Sequence, residues 1–309
     1  MDINQLKYFI EIVESNFNIS ETSKRIHISQ PALSKMILGF ERDENIQLFE
    51  RSNGRLKSLT PAGESFYFNA MELIKQYEGM MDDLRDASGR LKGRIKIGIP
   101  PLVNTVLFTD ILPKMITENP DIQFNIIEMG AFELRKSLIL QEVDIAVLLR
   151  PSDFKENNIQ EVLIADDGLC AFMSSSHSLA HKGKLDWSDL NDQSMAIFPN
   201  SFMIHHYLMR KFESENIRPN VKLESSAWDY LLHATENSDL ITVLPSPISN
   251  FCSLRNLSKV EFNDPINWEV ILCRRIKSHY TRIEAYVFYS LCEYFNNTIA
   301  NKRKSIIKV

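Results

Sequence analysis

The chain has 309 residues, 44% of them apolar and 24% charged, with a formal net charge of −5. That length allows about two domains with a sizeable core, and the charge argues against indiscriminate nucleic-acid binding, leaving room only for a local basic surface. No run of about 18 apolar residues and no signal-peptide pattern is found, which predicts a cytoplasmic protein without a membrane span.

Residues 20–26 read as a short helix, joined across His27-Ile28 to a second helix over residues 29–42. Ser29 is a candidate N-cap, and Pro31 sits in the first turn, where its missing N–H costs nothing. Leu33, Ile37 and Phe40 face inward, whereas Gln30, Ala32, Ser34 and Lys35 face outward. Two short helices and a tight turn, with small polar residues opening the second, describe a helix for the DNA major groove. The same spacing also suits a helix-turn-helix in a protein that binds no DNA. Next come Leu48-Phe49-Glu50-Arg51, the turn Ser52-Asn53-Gly54, and Leu59-Thr60-Pro61-Ala62-Gly63. Arg51, Arg55 and Lys57 bracket that turn with no acid over residues 52–60, as suits a loop lying along phosphates. The expected DNA contacts are therefore Ser29, Gln30, Pro31, Ala32, Ser34, Lys35, Arg51, Arg55 and Lys57.

Taken in order, Leu6-x-Tyr8-Phe9, Ile26 before His27-Ile28-Ser29-Gln30-Pro31-Ala32-Leu33-Ser34, Leu48-Phe49-Glu50-Arg51 and Leu59-Thr60-Pro61-Ala62-Gly63 resemble the winged helix-turn-helix of LysR-type transcriptional regulators. The sequence departs from that pattern at Thr22-Ser23 (usually small and apolar), at Gly39 (usually polar) and at Asn45 (usually Gly). Asn45 can still adopt the left-handed conformation that ends a helix. Gly39 weakens the helix by about 1 kcal/mol relative to Ala.

Thr60 and Pro61 open a long helix predicted to run to about residue 88. Phe66, Ala70, Leu73, Tyr77, Met80, Leu84 and Ala87 alternate spacings of four and three, which is a heptad seam needing a partner helix. Packing on its own domain is the other way to bury it. Position favours dimerisation, and the resemblance implies paired linker helices. Gly89 and Gly93 mark a hinge.

From Arg94 onward, strands alternate with helices. Strand 95–99, helix 102–118, strand 122–128, helix 132–141 and strand 143–149 make a βαβαβ unit, hence a parallel sheet. A second set follows: strands at 168–173, 195–198, 221–224 and 240–244, with helices at 203–215 and 228–236. A late strand spans 268–274 and a closing helix 280–295. The expected organisation is a DNA-binding domain (1–60), a linker helix (61–90), and an effector domain (91–300) whose subdomains are 91–164 with 265–300, and 165–264. Residues 301–309 form a basic tail, with Lys302, Arg303, Lys304 and Lys308 solvated. Val143-Asp144-Ile145-Ala146, His177-x-Leu179-Ala180, residues 185–190, Ile217-x-Pro219 and Leu244-Pro245 resemble the family's periplasmic-binding-protein-like domain. Ser238 and Leu240 stand where that pattern often has small residues.

Ligands of α/β sheets bind beyond the carboxyl ends of strands, where the halves meet. That selects Pro100, Leu102, Val103, Asn104 and Thr105 after the first strand, Met129 after the second, and Arg150 after the third. From the second half it selects Pro199, Ser201, Phe202 and Trp228. Arg150 is the expected counter-charge for a carboxylate, although it also reads as a surface arginine, and Phe202 and Trp228 as core. Pro100-Pro101 resembles a subset of the family linked to small organic acids. Cys170, Cys252, Cys273 and Cys292 lack metal-finger spacing, and His177/His181 and His205-His206 do not suggest a metal site. No phosphate loop, nucleophile elbow or metalloprotease motif is present.

The expectation is a non-enzymatic LysR-type regulator without cofactor, binding double-stranded operator DNA as a homodimer or homotetramer and sensing a small molecule. One alternative is the same fold switched by cysteine or methionine oxidation. Another, of a different class, is a solute-binding protein without DNA function.

Overall fold

The computed structural model describes residues 1–52, 54–85, 91–154, 158–251, 255–277 and 279–306, without the side chains of residues 75, 82, 83, 85 and 299–306. Asn53, Ala87, Gly89, Cys252 and Lys308, and the side chains of Lys302, Arg303 and Lys304, lie outside that description. The chain divides into two compact units, Met1–Arg90 with His279–Arg282, and Leu91–Ser278 with Ile283–Val309.

In the first unit, α1 (Ile3–Glu14), α2 (Ile19–Arg25) and α3 (Gln30–Asp43) precede the hairpin β1 (Phe49–Ser52) and β2 (Arg55–Leu59) and the long α4 (Pro61–Arg85). Each helix start has a local cause. Asp2 and Gln5 form a reciprocal capping box on α1, satisfying two donors that a helix start leaves unpaired. Asn18 caps α2 by accepting from the Glu21 N–H. Ser29 occupies the N-cap position of α3, but its hydroxyl makes no capping bond. Pro31 removes one of the two N–H groups that such a hydroxyl takes and leaves only that of Ala32. His27 and Asn45 both adopt positive φ, 56° and 53°, so the turn and the end of α3 fall where the residue types put them.

Phe9, Ile12, Leu33, Ile37, Leu48 and Phe49 form the core of this unit with Ala70 and Ile74 of α4. Thr22 and Ser23 are buried, and their hydroxyls donate to the carbonyls of Asn18 and Ser20 at 2.9 Å each. Hydroxyls bonded back onto their own helix can thus stand where apolar residues are usual. Thr60 joins the hairpin to α4: its hydroxyl donates to the Gln47 carbonyl at 2.6 Å and accepts from the Gly63 N–H at 3.0 Å. A Cβ on Gly63 would lie 2.0 Å from the Leu48 carbonyl oxygen. Only glycine lets that strand-entry backbone approach the helix.

The second unit begins with β3 (Gly93–Ile99), flanked in parallel by β4 (Ile122–Glu128) and β5 (Ile145–Leu149). All five residues of β5 are buried, as a central parallel strand with both faces covered requires. The single helix expected over 102–118 is broken into one turn of α5 (Pro101–Val103), a π turn (Asn104–Phe108) and α6 (Ile111–Glu118). Thr105 and Thr109 donate their hydroxyls to the carbonyls of Pro101 and Thr105, an arrangement that bends helices. Pro113 then lacks the N–H that would have bonded back to Thr109, so the helix restarts. α7 (Ala131–Ile139) packs behind β5.

Strand β6 (Ile159–Ser174) is much longer than the expected 168–173. Its first part pairs antiparallel with β12 (Asn267–Arg275), which also pairs with β5; its second part pairs with β10 (Thr242–Pro245) and β11 (Leu257–Phe262). Asp166-Asp167-Gly168 interrupts the apolar pattern where β6 passes from one half to the other, which hid its continuity. The second half is completed by β7 (Lys184–Leu185), β8 (Ser194–Ile197) parallel to β9 (Asn220–Glu224), α8 (Met203–Ser214) and α9 (Trp228–Glu236). The short β7 and β11 were not anticipated. α10 (Arg282–Ile306) carries its helical backbone through 301–306, the first part of the segment expected as a basic tail.

Candidate nucleic-acid interface and effector cleft

On α3, Ser29, Gln30, Pro31, Ala32 and Lys35 are exposed and Ser34 is half-buried, opposite the buried Leu33 and Ile37. Arg55 and Lys57 are exposed on β2. Among the described residues none of Lys35, Arg55 and Lys57 takes part in a salt bridge, so their charges are uncommitted. Arg51 differs. Its Nη2 lies 2.5 Å from Glu41 Oε2, while Glu41 Oε1 accepts from the backbone N–H groups of Leu48 and Phe49 at 2.8 and 3.1 Å. Glu41 is only 7% exposed, so this carboxylate is a buried clamp tying α3 to the start of the hairpin. Arg51, expected as a phosphate ligand, is committed to that clamp. The carboxylate itself was missed from sequence, because an acid on the back of a helix looks like any solvated charge.

The seam expected along α4 separates into two parts. Phe66 packs against Phe9 and Phe40, with ring centroids at 5.1 and 5.4 Å, and Ala70 is buried in the same core. These two are internal to the unit rather than part of an open face. Leu73, Met80 and Leu84 are exposed, Leu84 by 70%, and Tyr77 is half-buried under the Lys7 ammonium.

In the second unit, the segments that follow β4 and β5 approach α8 and the loop before it. Gly130 is buried at the start of α7, and a Cβ there would come within 2.9 Å of the Ser201 carbonyl. The Tyr207 hydroxyl donates to the Arg150 carbonyl at 2.6 Å, a second tie between the halves; burial raises the pKa of that phenol. Arg150 pairs loosely with Glu269, Nη1 to Oε1 at 3.6 Å, and its side chain is 42% exposed. A small open pocket lies beside it, lined by Ala131, Phe132 and Arg135 of α7, Leu148 and Leu149 of β5, Pro151 to Asp153, and Met203 of α8. Arg135 spans its mouth, donating to the carbonyls of Ser152 and Asp153 at 3.3 and 3.4 Å.

Several residues expected to line the cleft are spent elsewhere. Pro100, Leu102 and Val103 are buried, the last two in the main core. The Asn104 N–H bonds to the Pro100 carbonyl, and its side-chain amide donates to Glu128 Oε1 at 2.9 Å. The anion site foreseen at this helix start therefore keeps only the N–H groups of Leu102 and Val103, beside a carboxylate. Thr105 bonds its own helix, and Met129 receives the Ser137 hydroxyl. Phe202 stacks on Phe198 with centroids 4.8 Å apart, and Trp228 packs against the core. Pro199 is half-buried and Ser201 exposed. The pocket adds Phe132, Arg135 and Met203, which the sequence did not point to; the strand-end rule selects loops, whereas these three lie within α7 and α8.

Residues 3–64 match the family described as bacterial regulatory helix-turn-helix protein, lysR family, and residues 88–286 match the LysR substrate binding domain. The chain belongs to the LysR family of transcriptional regulators. Among curated relatives of this LysR-family chain, the HTH-type transcriptional regulator YwbI of Bacillus subtilis (strain 168) is 29% identical over 276 residues, covering 89% of this chain and 90% of that protein. A full-length OxyR variant from Pseudomonas aeruginosa shares the fold with a TM-score of 0.74 at 20% identity, covering 96% of this chain and 94% of that one. Full-length CbnR, solved in complex with its target DNA, gives 0.63 at 19% identity, covering 96% and 100%.

A solute-binding protein without a DNA-binding unit does not fit a LysR-family chain with that N-terminal match. Burial raises the pKa of the thiols of Cys170, Cys273 and Cys292. This lowers their thiolate fraction and slows oxidation. Among the described residues no group of three His, Cys, Asp or Glu side chains is placed to hold a metal, and no helix is long and apolar enough to cross a membrane.

Proposed function

We propose that this LysR-family regulator reads double-stranded operator DNA through the outward face of α3, with Arg55 and Lys57 of the wing on the backbone. It does so as a homo-oligomer, joined along the exposed Leu73, Met80 and Leu84, and acts in the cytoplasm, where its operator is. The observation that carries the reading is the exposed face of Gln30, Pro31, Ala32 and Lys35 together with Arg55 and Lys57; the three cations of that set take part in no salt bridge among the described residues. Base edges and phosphates need free donors and free cations, and this face supplies both. The solved complex of CbnR with its target DNA supports the same use of a shared fold.

The effector is proposed to be a small carboxylate held where the two halves meet, by Arg150 and by Arg135 at the cavity mouth. A ligand there shifts the regulator only by its differential affinity for two arrangements of the halves.

A salt titration of operator binding tests the DNA assignment. Lys57→Ala should weaken binding to many sequences alike and reduce the slope of log K against log salt by about 1. An unchanged slope would remove the wing from the interface.

A further inference from the structure

One side-chain hydrogen bond on the recognition face lies fully on the exposed surface. Ser20, in the first turn of α2, donates its hydroxyl to Gln30 Oε1 at 3.0 Å. Both residues are exposed, so the bond joins the two helices of the motif on the surface that would meet DNA. The cap of α2 does not depend on it: Asn18 takes the Glu21 N–H, and the Ser23 hydroxyl takes the Ser20 carbonyl.

A primary amide accepts at one end and donates twice at the other. A free glutamine therefore matches adenine in the major groove, accepting from N6 and donating to N7. The bond to Ser20 takes one of the two lone pairs of Oε1 and draws that oxygen toward α2, which leaves Nε2, with both donors, as the end of the amide that is free for a base. Pro31 and Ala32, exposed beside it, have no side-chain group that could draw the amide round. Two outward donors match a base edge that offers acceptors: guanine through N7 and O6, or thymine through O4. Exclusion of water at a protein–DNA interface strengthens the bond that fixes the amide.

We propose that Ser20 is a positioning residue for sequence recognition. Its hydroxyl holds the Gln30 amide with the donors outward, so that Gln30 selects guanine or thymine over adenine. This rests on α3 being the recognition helix. Ser20 contacts no base itself and sets the identity of the base read by its neighbour.

The full-length protein is used to select sites from a random-sequence duplex library, and affinities are then measured on single-base variants of the selected site. Gln30→Ala identifies the base pair that Gln30 reads. At that base pair the wild type should prefer guanine or thymine over adenine by roughly tenfold, the scale of one specific base contact. Ser20→Ala should lose most of that preference at the same base pair, gain relative affinity for adenine, and keep the salt dependence of wild type. Ser20→Thr, which keeps the hydroxyl, should restore the preference, and the double variant should discriminate no worse than Gln30→Ala alone. If Gln30→Ala changes base preference and Ser20→Ala does not, the proposal falls and the recognition helix stands. A wild-type preference for adenine at that base pair overturns it equally. If Gln30→Ala changes nothing, Gln30 reads no base, and both the proposal and that part of the interface are wrong.

Discussion

Two arginine–carboxylate pairs mark the difference between the two units of this chain. In the winged unit, Arg51 meets Glu41 at 2.5 Å, and the same carboxylate also accepts two backbone N–H groups. In the effector unit, Arg150 stands 3.6 Å from a partly exposed Glu269. The first pair is spent on structure, because a buried charge is tolerated only when paired and hydrogen-bonded. The second remains open to exchange, since an exposed pair contributes at most about 1 kcal/mol. Groups that hold the fold and groups available to a ligand are thus distinguishable by how fully their hydrogen bonds are satisfied.

The strongest way to break this contrast is Glu41→Ala. It would strand two backbone donors and the Arg51 guanidinium, so the winged unit should lose about 3–5 kcal/mol of stability. Thermal unfolding should show the winged unit melting early and operator binding lost, with the effector unit's transition unmoved; an unshifted melt would show that the clamp holds nothing. Gly63→Ala comes next. Its methyl would collide with the Leu48 carbonyl, and such overpacking costs typically about 1–3 kcal/mol, to be read in the same melt. Arg150→Ala probes the open side. It should leave the melt within about 0.5 kcal/mol of wild type but cost about 1.5–3 kcal/mol in carboxylate affinity by calorimetry. Equal affinity would shift the anion contact to Arg135 or rule out a carboxylate.

Smallest in stability, though not in consequence, is Leu84→Glu. At an exposed position it should change monomer stability by less than about 0.5 kcal/mol while dissociating the oligomer in light scattering. Phe66→Glu should instead unfold the winged unit. An intact oligomer in Leu84→Glu would detach the exposed stripe from self-association.

The winged unit was legible because its signals are local. The turn at His27, the Asn45 helix end and the Thr60-Pro61 helix start are each set by residue types within a few positions in the chain. Glu41 was not legible, since its partners lie seven to ten residues away across a turn, and nothing in its own neighbourhood marks it as buried. In the effector unit the alternation of strands and helices could be read, but β6 could not, because breakers at Asp166-Asp167-Gly168 fall in the middle of a continuous strand. The cleft was read least well. Strand ends named loops at one end of the sheet, yet Asn104 is bonded to Glu128, Phe202 stacks on Phe198 and Trp228 packs against the core. A residue's availability depends on what else it touches, and that is a tertiary property.

The long helix α4 has a consequence for anyone exchanging parts between regulators of this family. Ala70 and Ile74 are locked into the winged core, whereas Leu73, Met80 and Leu84 on the same helix are exposed. One rigid rod therefore carries both the internal key and the outer stripe, and their angular offset is fixed by residue count alone. At about 3.6 residues per turn, a junction that adds or drops one residue between Ile74 and Met80 would swing Met80 and Leu84 by about 100° relative to Leu73 and the winged core. A chimaera spliced there in the correct frame should keep its grip on DNA. One spliced a single residue out of frame would present a sound DNA-binding unit with its outer stripe facing the wrong way.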